Sequence, residues 1–394
     1  MAVIMNFLGA GARGASAPLP DDRDLYSPEE LAAIYRHSPL GLLPPDATNR
    51  VADDPRAAAL GQFLFFDTRF SPNSKVSCAS CHQTALAFTD GRALARGMAV
   101  GTRNSPTVLN VGFGQWYFLD GRSDSLWSQA LQPFENPSEI GGDRQHIVAA
   151  VARDPALRRA YERVFGWLSD QTVDRAFSNL GKAVEAYERR LRSPAAPFDR
   201  YVAALKNGNT GGQRRLSSAA KRGLRLFVGA ARCDLCHSGA TFSDGQFHNL
   251  GLPVASGEAR DPGREAGIRG VRANPFNAVG LFSDAPGRGG VGERLAFLPA
   301  PESQTGAFKT PTLREIERTA PYMHDGRFAD LAQVMRFYAG DAPLAGGTPV
   351  GERERTLDLI PRLSAAQQLD LIEFLRSLTS PPLPVALRRP PSHP

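Results

Sequence analysis

Four cysteines and the histidines beside them carry the strongest chemical signal in the sequence. They occur as Cys78-Ala-Ser-Cys81-His82 and Cys233-Asp-Leu-Cys236-His237, and no cysteine is left over. Two thiols at this spacing add to the two vinyl groups of one porphyrin, and the adjacent histidine then lies beneath the iron as its ligand. A redox-active cysteine pair or half of a zinc site needs no histidine at that position. The sequence therefore predicts two covalently attached c-type haems.

The group opposite each histidine decides whether a haem only transfers electrons or also binds a small molecule. The segment after His82, residues 83–103, contains no His, Cys or Tyr and a single methionine, Met98. We therefore expect the first haem to be five-coordinate and open to peroxide, with Met98 as the one residue that would close it. Surface or hydrogen-bonded roles are expected for the remaining histidines, which are His37, His146, His248, His324 and His393.

Cleavage of an O–O bond at an open haem requires a side chain that moves a proton between the two oxygens. Glu139, in the loop Asn136-Pro-Ser-Glu139-Ile140, has the right chemistry for this task. From the residues alone, however, it is one carboxylate among many, and a solvated surface glutamate is the better interpretation.

The segment 324–338, HDGRFADLAQVMRFY, holds the candidates for the other face of the second haem. Read as a helix, it places Met335 and Tyr338 three residues apart on one face. A thioether ligand favours ferrous iron and raises the reduction potential, whereas an anionic phenolate is a harder donor that favours oxidised iron. The residues leave both ligands open.

One order of motifs is used twice along the chain. The first half reads GQFLFF, CASCH, FTDG, SPTVLNV and LDGRSDSL, and the second reads GLRLFV, CDLCH, FSDG, TPTLREI and HDGRFADL. The second copy carries an insertion, residues 251–305, rich in Gly, Pro and Arg, which predicts a long surface loop. Duplication predicts two haem domains, at 25–205 and 206–394, preceded by a leader or disordered N-terminus at 1–24.

The elements that must position these motifs are predicted to be helical. Capping boxes open helices at Ser27 and Ser364, Ser217 caps a third, and residues 143–165 and 172–192 carry apolar residues at helical spacing. The predicted buried stripe of the last helix is Leu369, Ile372 and Leu375. No segment alternates convincingly as a strand. The fold class is therefore mainly α, with two cytochrome c-like haem domains related by duplication and long ordered loops.

Length, composition and charge exclude several function classes. The chain has 394 residues, 42% of them hydrophobic and 22% charged, and no run approaches the roughly 20 apolar residues of a membrane span. Its net charge of +6 comes from scattered arginines without a basic block, so no nucleic-acid partner is predicted. Haem is attached to such motifs outside the bacterial cytoplasm, so a periplasmic protein is expected. Ala15-Ser16-Ala17 resembles a cleavage site, although no positive segment precedes it.

Taken together, the motifs resemble those of the bacterial di-haem cytochrome c peroxidase family, which includes MauG. The residues that carry the resemblance are both C-x-x-C-H sites, Arg103-Asn-Ser-Pro-Thr107, Asp120-Gly-Arg122, the Asn136–Glu139 loop, Thr310-Pro-Thr-Leu-Arg314 and Pro321-Tyr-Met-His-Asp-Gly326. The resemblance implies that the first haem is the peroxide site and the second the electron-transfer haem. It also implies that Glu139 is the distal acid/base.

The same resemblance implies further ligands. Asn104, Thr319 and Pro321 match the calcium site between the haems, the last two through backbone carbonyls, and such oxygen ligands suit a hard cation. Tyr338 occupies the position where classical peroxidases have the distal Met and MauG-type members have Tyr, while Met335 stays the alternative. The residues that the resemblance places around the haems are Arg122, Arg314 and His324.

This sequence departs from the family pattern at two positions. The classical enzymes carry a switchable distal histidine where this chain has Arg96-Gly97-Met98, which agrees with a permanently open, MauG-like first haem. Family members also place a Trp between the haems just before the first Asp-Gly-Arg, and here that residue is Leu119. The candidates for a relay between the haems are then Trp116, Tyr117 and Phe118.

The expected function is reduction of hydrogen peroxide at the open first haem. We expect the MauG-like form, with a His/Tyr second haem and a protein as candidate substrate. One alternative is a classical peroxidase fed by a small cytochrome c or cupredoxin. The other is a non-catalytic di-haem electron carrier, which Met98 as a sixth ligand would favour.

Overall fold

The computed structural model describes residues 21–254, 259–286, 290–341 and 347–394. Most of the predicted leader, residues 1–24, lies outside the described residues, and the described part opens with a 3-10 turn at Asp22–Leu25. In this part of the chain, no helix combines the length and the apolar character that crossing a membrane requires.

Helices dominate the fold, so the prediction of a mainly α protein is confirmed. The helices are α1 Pro28–Arg36, α2 Pro55–Phe66, α3 Cys78–Cys81, α4 Leu126–Glu135, α5 Arg144–Arg153, α6 Pro155–Phe165, α7 Val173–Glu188, α8 Pro197–Lys206, α9 Ser218–Val228, α10 Arg264–Ala273, α11 Gly290–Ala296, α12 Leu331–Tyr338 and α13 Ala365–Arg376. Short antiparallel pairs join β1 Phe247–His248 to β3 Phe308–Lys309 and β2 Pro253–Val254 to β4 Thr348–Pro349.

The predicted helix starts lie where the capping residues placed them. Ser27 and Ser364 each form a reciprocal capping box, and the Ser217 hydroxyl accepts from the third backbone N–H of α9. The periodic segment 143–165, in contrast, is two helices. Asp154 ends α5 and caps α6, because Pro155 lacks the N–H that would continue α5 but is well suited to the first position of a new helix.

The buried stripe predicted for the last helix is partly wrong. Leu369 is 63% exposed, whereas Ile372 and Leu375 are buried. The other buried apolar side chains of α13 are Leu371 and Phe374. The buried face is therefore rotated from the predicted one, because α13 packs against both α9 and α12.

Two hydrophobic clusters form the core. The first contains side chains of α2 and α4–α7, and the second contains side chains of α1, α8, α9, α12 and α13. Ile34 and Phe198, from before residue 206, lie in the second cluster, while Phe276 and Leu383, from after it, lie in the first. Neither cluster is confined to one side of the boundary proposed between residues 205 and 206, so each half of the fold draws on both ends of the chain.

The sequence repeat corresponds to two equivalent helix crossings. In the first, α2 crosses α7 with Gly61 at the contact, and in the second, α9 crosses α13 with Gly223 there. A Cβ on Gly61 would lie 1.8 Å from the Ala183 carbonyl oxygen, and one on Gly223 would lie 1.9 Å from that of Asp370. The glycine that opens GQFLFF and GLRLFV is therefore required by the close approach of two helix backbones.

We expect Gly61→Ala and Gly223→Ala each to lower the free energy of unfolding by about 3 kcal/mol or more, because a backbone carbonyl cannot move aside as a side chain can. Urea unfolding of the holoprotein, followed by circular dichroism, measures the change. Gly41→Ala is the matched control, since nothing lies within 4 Å of a Cβ at that position. Equal midpoints for all three variants would contradict the close-crossing argument.

The insertion predicted as a surface loop is instead partly helical and buried. Ile268 and Val271 of α10 are fully buried, and Phe276 joins the first hydrophobic cluster. A Cβ on Gly267 would lie 1.9 Å from the Asp120 carbonyl oxygen, so α10 packs directly on the first Asp-Gly-Arg turn. The prediction failed because the insertion's apolar residues are sparse and pack against a segment more than a hundred residues earlier.

Candidate functional site

Both C-x-x-C-H motifs open into one internal cavity of about 850 Å³. Its lining includes Cys81, His82, Cys233, Cys236 and His237. The fourth motif cysteine, Cys78, packs against the first hydrophobic cluster. The structure thus brings the two predicted attachment sites together around a shared, largely apolar space, which is typical of cofactor sites.

The two motif histidines are oriented in the same way. His82 Nδ1 lies 3.1 Å from the Phe88 carbonyl oxygen, and His237 Nδ1 lies 3.0 Å from that of Phe242. A carbonyl can only accept, so Nδ1 carries the hydrogen and Nε2 keeps its lone pair for a metal. Phe88 and Phe242 have φ angles of 59° and 53°, and this left-handed backbone turns each carbonyl towards the ring.

The residues of both motifs fit a covalently attached haem. Thr107 Oγ1 donates to Ala87 O and Thr312 Oγ1 donates to Thr241 O, both at 2.6 Å, so the two copies of the Ser/Thr-Pro-Thr motif brace the histidine loops alike. Burial raises the pKa of one thiol in each motif, to about 11 for Cys81 and about 12 for Cys233. A redox cysteine pair has the opposite property, a lowered pKa.

On the first motif's side of the cavity, a carboxylate is present and the methionine is not. Gly97, Ser138 and Glu139 line the space, whereas Met98 is absent from the lining and 36% exposed. Met98 N donates to Glu139 O at 2.8 Å, and this backbone contact directs the 96–98 loop along the outside of the 136–139 loop.

Glu139 is held by two neighbours. Asn136 Nδ2 donates to its Oε1 at 2.7 Å, and Arg122 Nη2 lies 3.9 Å from the same oxygen. Burial raises the pKa of Glu139 despite these favourable partners. A carboxyl whose pKa moves towards neutrality is suited to both accepting and donating a proton.

Arg122 connects Glu139 to the turn before it. Its guanidinium stacks over the Phe118 ring at 3.4 Å and donates to Gln132 Oε1 at 3.0 Å and to Asp120 at 3.2 Å. These contacts fix the arginine beside the cavity, which it lines together with Phe118. Arg122, which the resemblance places around the haems, thus lines the cavity into which both motifs open.

On the second motif's side, Met335 and Tyr338 both line the cavity. They lie on α12, which begins only at Leu331, with Asp330 as its cap, so the helical interpretation of 324–330 is wrong. Gly326, with φ 64°, turns the chain there instead. Met335 packs in the second hydrophobic cluster, whereas Tyr338 is only partly buried there, and burial together with the nearby Cys233 and Cys236 raises its pKa.

An aromatic segment forms part of the cavity wall. Trp116, Tyr117 and Phe118 line the cavity along with Leu119. His324 also lines it and stacks on Phe308, with ring centroids 3.8 Å apart and an interplanar angle of 10°. The relay candidates named from the sequence are therefore all at the cavity wall.

Two cations that sequence reasoning missed surround Trp116. The Arg264 guanidinium lies 4.3 Å from the Trp116 ring centroid and 3.9 Å from that of Phe247. Lys309 Nζ donates to the Trp116 carbonyl at 2.7 Å, and burial lowers the pKa of Lys309 to about 8. No local pattern could have revealed these contacts, because Arg264 belongs to the insertion and Lys309 to β3.

The three residues predicted to bind calcium all line the cavity, namely Asn104, Thr319 and Pro321. Asn104 N donates to His324 O at 2.8 Å, and its side-chain amide donates to Arg92 O at 2.7 Å. The Arg103-Asn-Ser motif is thereby tied to the His-Asp-Gly motif, so residues from both sequence repeats meet at this point.

Arg314 does not line the cavity. Its guanidinium is buried in a paired contact with both Asp199 oxygens, each at 2.9 Å, and its Nε donates to Ala240 O at 2.6 Å. Arg314 therefore joins α8 to the loop after His237. Its contacts therefore hold in place the loop that follows the second motif histidine.

His37 lies on the same side and is fully buried. Its Nδ1 is 2.8 Å from Gly239 O, and its ring stacks on Phe242, with centroids 4.5 Å apart. The expected hydrogen-bonded role is confirmed, and the surface alternative is wrong. Burial lowers the pKa of His37 from its usual 6.5 to about 4.

We expect His37 to make stability depend on pH. Because the folded state favours the neutral ring, its contribution is present above about pH 6.5 and is lost as the pH falls towards 4, by about 3 kcal/mol in total. His37→Gln retains a donor for Gly239 O and should flatten this part of the curve of unfolding free energy against pH. The exposed His146→Gln is the control, and identical slopes for all three proteins would refute the assignment.

A second group missed by the sequence analysis lies beside Cys236. His248 Nε2 is 2.8 Å from Asp244 and its Nδ1 is 3.0 Å from Glu354. Asp244, then Cys236 and Glu354, raise the pKa of His248 to about 11. Both ring nitrogens are occupied, so this group is an ion-pair network that ties residues 347–360 to the second motif.

Comparisons with known proteins agree with this geometry. A family model described as di-haem cytochrome c peroxidase matches residues 55–207. The chain is 32% identical to the methylamine utilization protein MauG of Methylorubrum extorquens, covering 86% of this chain and 82% of that protein. It is 34% identical to the cytochrome-c peroxidase IdrP1 of a Pseudomonas species, covering 87% and 86%. A crystal structure of a MauG-like protein associated with microbial copper homeostasis superposes with a TM-score of 0.67 at 28% identity, covering 89% of this chain and 98% of that one.

Proposed function

The chain belongs to the di-haem cytochrome c peroxidase family, and on that basis we propose that it reduces hydrogen peroxide at a haem attached to Cys78 and Cys81 with His82 as iron ligand. Two c-type haems follow from the family, and their iron supplies the site that takes up peroxide and passes on its oxidising equivalents. The observation that carries the proposal is the pairing of Glu139 inside the cavity with Met98 outside its lining. An electron carrier with two closed haems would require the reverse arrangement.

Glu139 acts as the proton shuttle in this proposal. Burial raises its pKa, which makes the carboxyl a better proton donor than an exposed glutamate, and Asn136 fixes the carboxyl plane from one side. Arg122 lies close enough to stabilise the ionised form between proton transfers. The charge of Arg122 is shared with Asp120, so Glu139 is not locked in a tight ion pair.

For the second haem we propose attachment through Cys233 and Cys236, with His237 and Tyr338 as iron ligands. Two observations favour Tyr338 over Met335: Tyr338 lies near both cysteines of the second motif and is only partly buried, and the methionine side chain is buried in the second hydrophobic cluster. A phenolate at this position disfavours ferrous iron, and the protein would then act from its fully ferric state.

The remaining assignments follow from this choice. We propose a MauG-like reaction in which a protein is the substrate, with a small cytochrome c or cupredoxin as the electron donor in the classical alternative. We also propose a periplasmic location, because c-type haem is attached there. Calcium is proposed at Asn104 and at the carbonyls of Thr319 and Pro321, where the two sequence repeats meet.

Stoichiometric hydrogen peroxide added to the ferric holoprotein without reductant tests the proposal. We expect immediate formation of a long-lived oxidised state with near-infrared absorption shared between the haems. No change until one haem has been reduced would overturn the MauG-like assignment in favour of the classical peroxidase. If peroxide were consumed under neither condition, only the electron-carrier function would remain.

A further inference from the structure

The chain has three tryptophans, Trp116, Trp127 and Trp167. Trp167 is 69% exposed and lies away from the cavity. Trp116 lines the cavity, but Arg264 lies 4.3 Å from its ring and Arg294 5.7 Å. A positive charge over an indole face opposes the removal of an electron from that ring. Of the two buried tryptophans, Trp116 is therefore poorly placed to lose an electron.

Trp127 has a different environment. It is fully buried in α4, and its Nε1–H donates to Thr48 Oγ1 at 3.0 Å. The Thr48 hydroxyl in turn donates to Asp46 Oδ1 at 2.6 Å. The indole N–H is thus the first donor in a series of two hydrogen bonds that ends at a carboxylate. A position in the helix core accounts for burial of the ring but not for these two hydrogen bonds.

The carboxylate that ends this hydrogen-bond series, Asp46, lies close to a second carboxyl group. Asp46 is partly exposed, whereas Glu185 is buried, and burial together with the Asp46 charge raises the pKa of Glu185 well above its usual value. Asp46 is the member of the pair that accepts a hydrogen bond from the Thr48 hydroxyl. Both carboxyls are close enough to influence the Tyr117 hydroxyl, and Tyr117 lines the haem cavity. The pair therefore lies near the Tyr117 hydroxyl, and Thr48 joins its Asp46 member to the Trp127 indole.

We propose that Trp127 is a one-electron oxidation site of this protein, with Thr48 and Asp46 as the acceptor path for its indole proton. The inference rests on the proposed peroxide reduction, which supplies the oxidant. Hydrogen peroxide takes up two electrons and two protons and gives two water molecules; Trp127 supplies one electron and the haems supply the other. The indole proton passes to Thr48 Oγ1 as the Thr48 proton passes to Asp46, and a neutral indolyl radical and a protonated Asp46 remain.

The surrounding charges select the neutral radical. Lys182 Nζ lies 5.5 Å from the Trp127 ring centroid and 2.8 Å from Asp284. A nearby cation disfavours a positively charged indole, and this repulsion disappears once the proton has left. Because an oxidised indole is far more acidic than the neutral ring, the Thr48–Asp46 path provides the release that a radical at this position requires.

Electron paramagnetic resonance of the ferric holoprotein, frozen after one equivalent of peroxide, tests the proposal. We expect a tryptophan radical whose line shape changes when ring-deuterated tryptophan is incorporated but not when the solvent is D₂O. Trp127→Phe should remove the signal, and Trp167→Phe should leave it unchanged. Thr48→Val should make the line shape sensitive to D₂O or remove the signal, and Thr48→Ser should restore the wild-type signal. Peptide mapping should find oxidised Trp127 only in proteins that show the signal.

The outcomes separate this inference from the proposed function. If peroxide is not consumed, the peroxidase assignment itself fails. If peroxide is consumed but the radical is absent, or persists unchanged in Trp127→Phe, the peroxidase assignment stands and the role of Trp127 is refuted. A wild-type signal in Thr48→Val would refute the proton path and with it the proposal.

Discussion

Glu139→Gln is expected to lower peroxide turnover by about 10²- to 10⁴-fold while both haems stay attached. Glutamine keeps the size and the hydrogen bonding of the side chain, so Asn136 retains a partner, but the amide cannot take a proton from one peroxide oxygen and return it to the other. Turnover with a small-molecule reductant measures the effect, and haem content per protein chain verifies the cofactor.

The matched control is Glu135→Gln. Glu135 is the last residue of α4, four positions before Glu139 and outside the cavity lining, and its carboxylate accepts two hydrogen bonds from Arg144. Loss of such a half-exposed pair costs little stability and no proton transfer. Full activity in Glu139→Gln, or equal losses in both variants, would show that the Glu139 carboxylate does not transfer a proton during peroxide reduction.

The raised pKa of Glu139 adds a pH signature. If the carboxylate must accept the first proton, turnover falls as the pH drops through the Glu139 pKa, which burial has moved upward from its usual value. The acid limb of the pH–rate profile should therefore lie above the range of an exposed glutamate, and Arg122→Gln should move it higher still. The second shift follows because Arg122 is the cation that favours the ionised carboxylate.

Local chemistry made much of the site predictable. The C-x-x-C-H spacing predicts the haem ligands, and the capping residues at Ser27, Ser217 and Ser364 mark helix starts, because each signal depends only on residues within a few positions. The repeat was equally readable, and it corresponds to structure in detail. The left-handed residues Phe88 and Phe242, for example, occupy equivalent positions and orient equivalent histidines.

Contacts between distant segments were not predictable. Arg264 lies in an insertion that no motif marks, yet its guanidinium donates to the Asp120 and Gly121 carbonyls and covers Trp116. Arg314 was assigned to the haem surroundings by its motif, whereas its burial against Asp199 depends on α8 packing with the second half of the chain. Such positions are set by tertiary packing, and sequence periodicity does not reveal contacts between distant segments.

Trp127 illustrates the same limit for function. It is fully buried in α4, as an apolar residue on the inner face of a helix normally is. The hydrogen bond to Thr48 crosses 79 positions of sequence, and the partner of Thr48 is a carboxylate in a loop. A core tryptophan and a redox-active one have the same sequence pattern, so only the partners of the indole N–H can separate them.

Tyr338→Met is expected to raise the reduction potential of the second haem by some hundreds of millivolts, a sizeable part of the roughly 0.8 V that axial ligands span. The thioether stabilises ferrous iron, so the variant should require pre-reduction before it consumes peroxide, and the long-lived oxidised state should be lost. Spectroelectrochemical titration of both haems measures the potential, and peroxide addition to the ferric variant measures the second effect.

Met335→Leu is the control that makes this result decisive. Both side chains line the cavity from one helix, but leucine fills the space of Met335 in the second hydrophobic cluster without offering a ligand. If Tyr338 is the ligand, Met335→Leu leaves the potential of the second haem nearly unchanged, and Tyr338→Phe opens that haem to small ligands. If Met335 is the ligand, the pattern reverses: Met335→Leu lowers the potential steeply, and Tyr338→Phe has little effect. The two single variants thus assign the ligand without reference to any relative, because only one of them can remove a bond to iron.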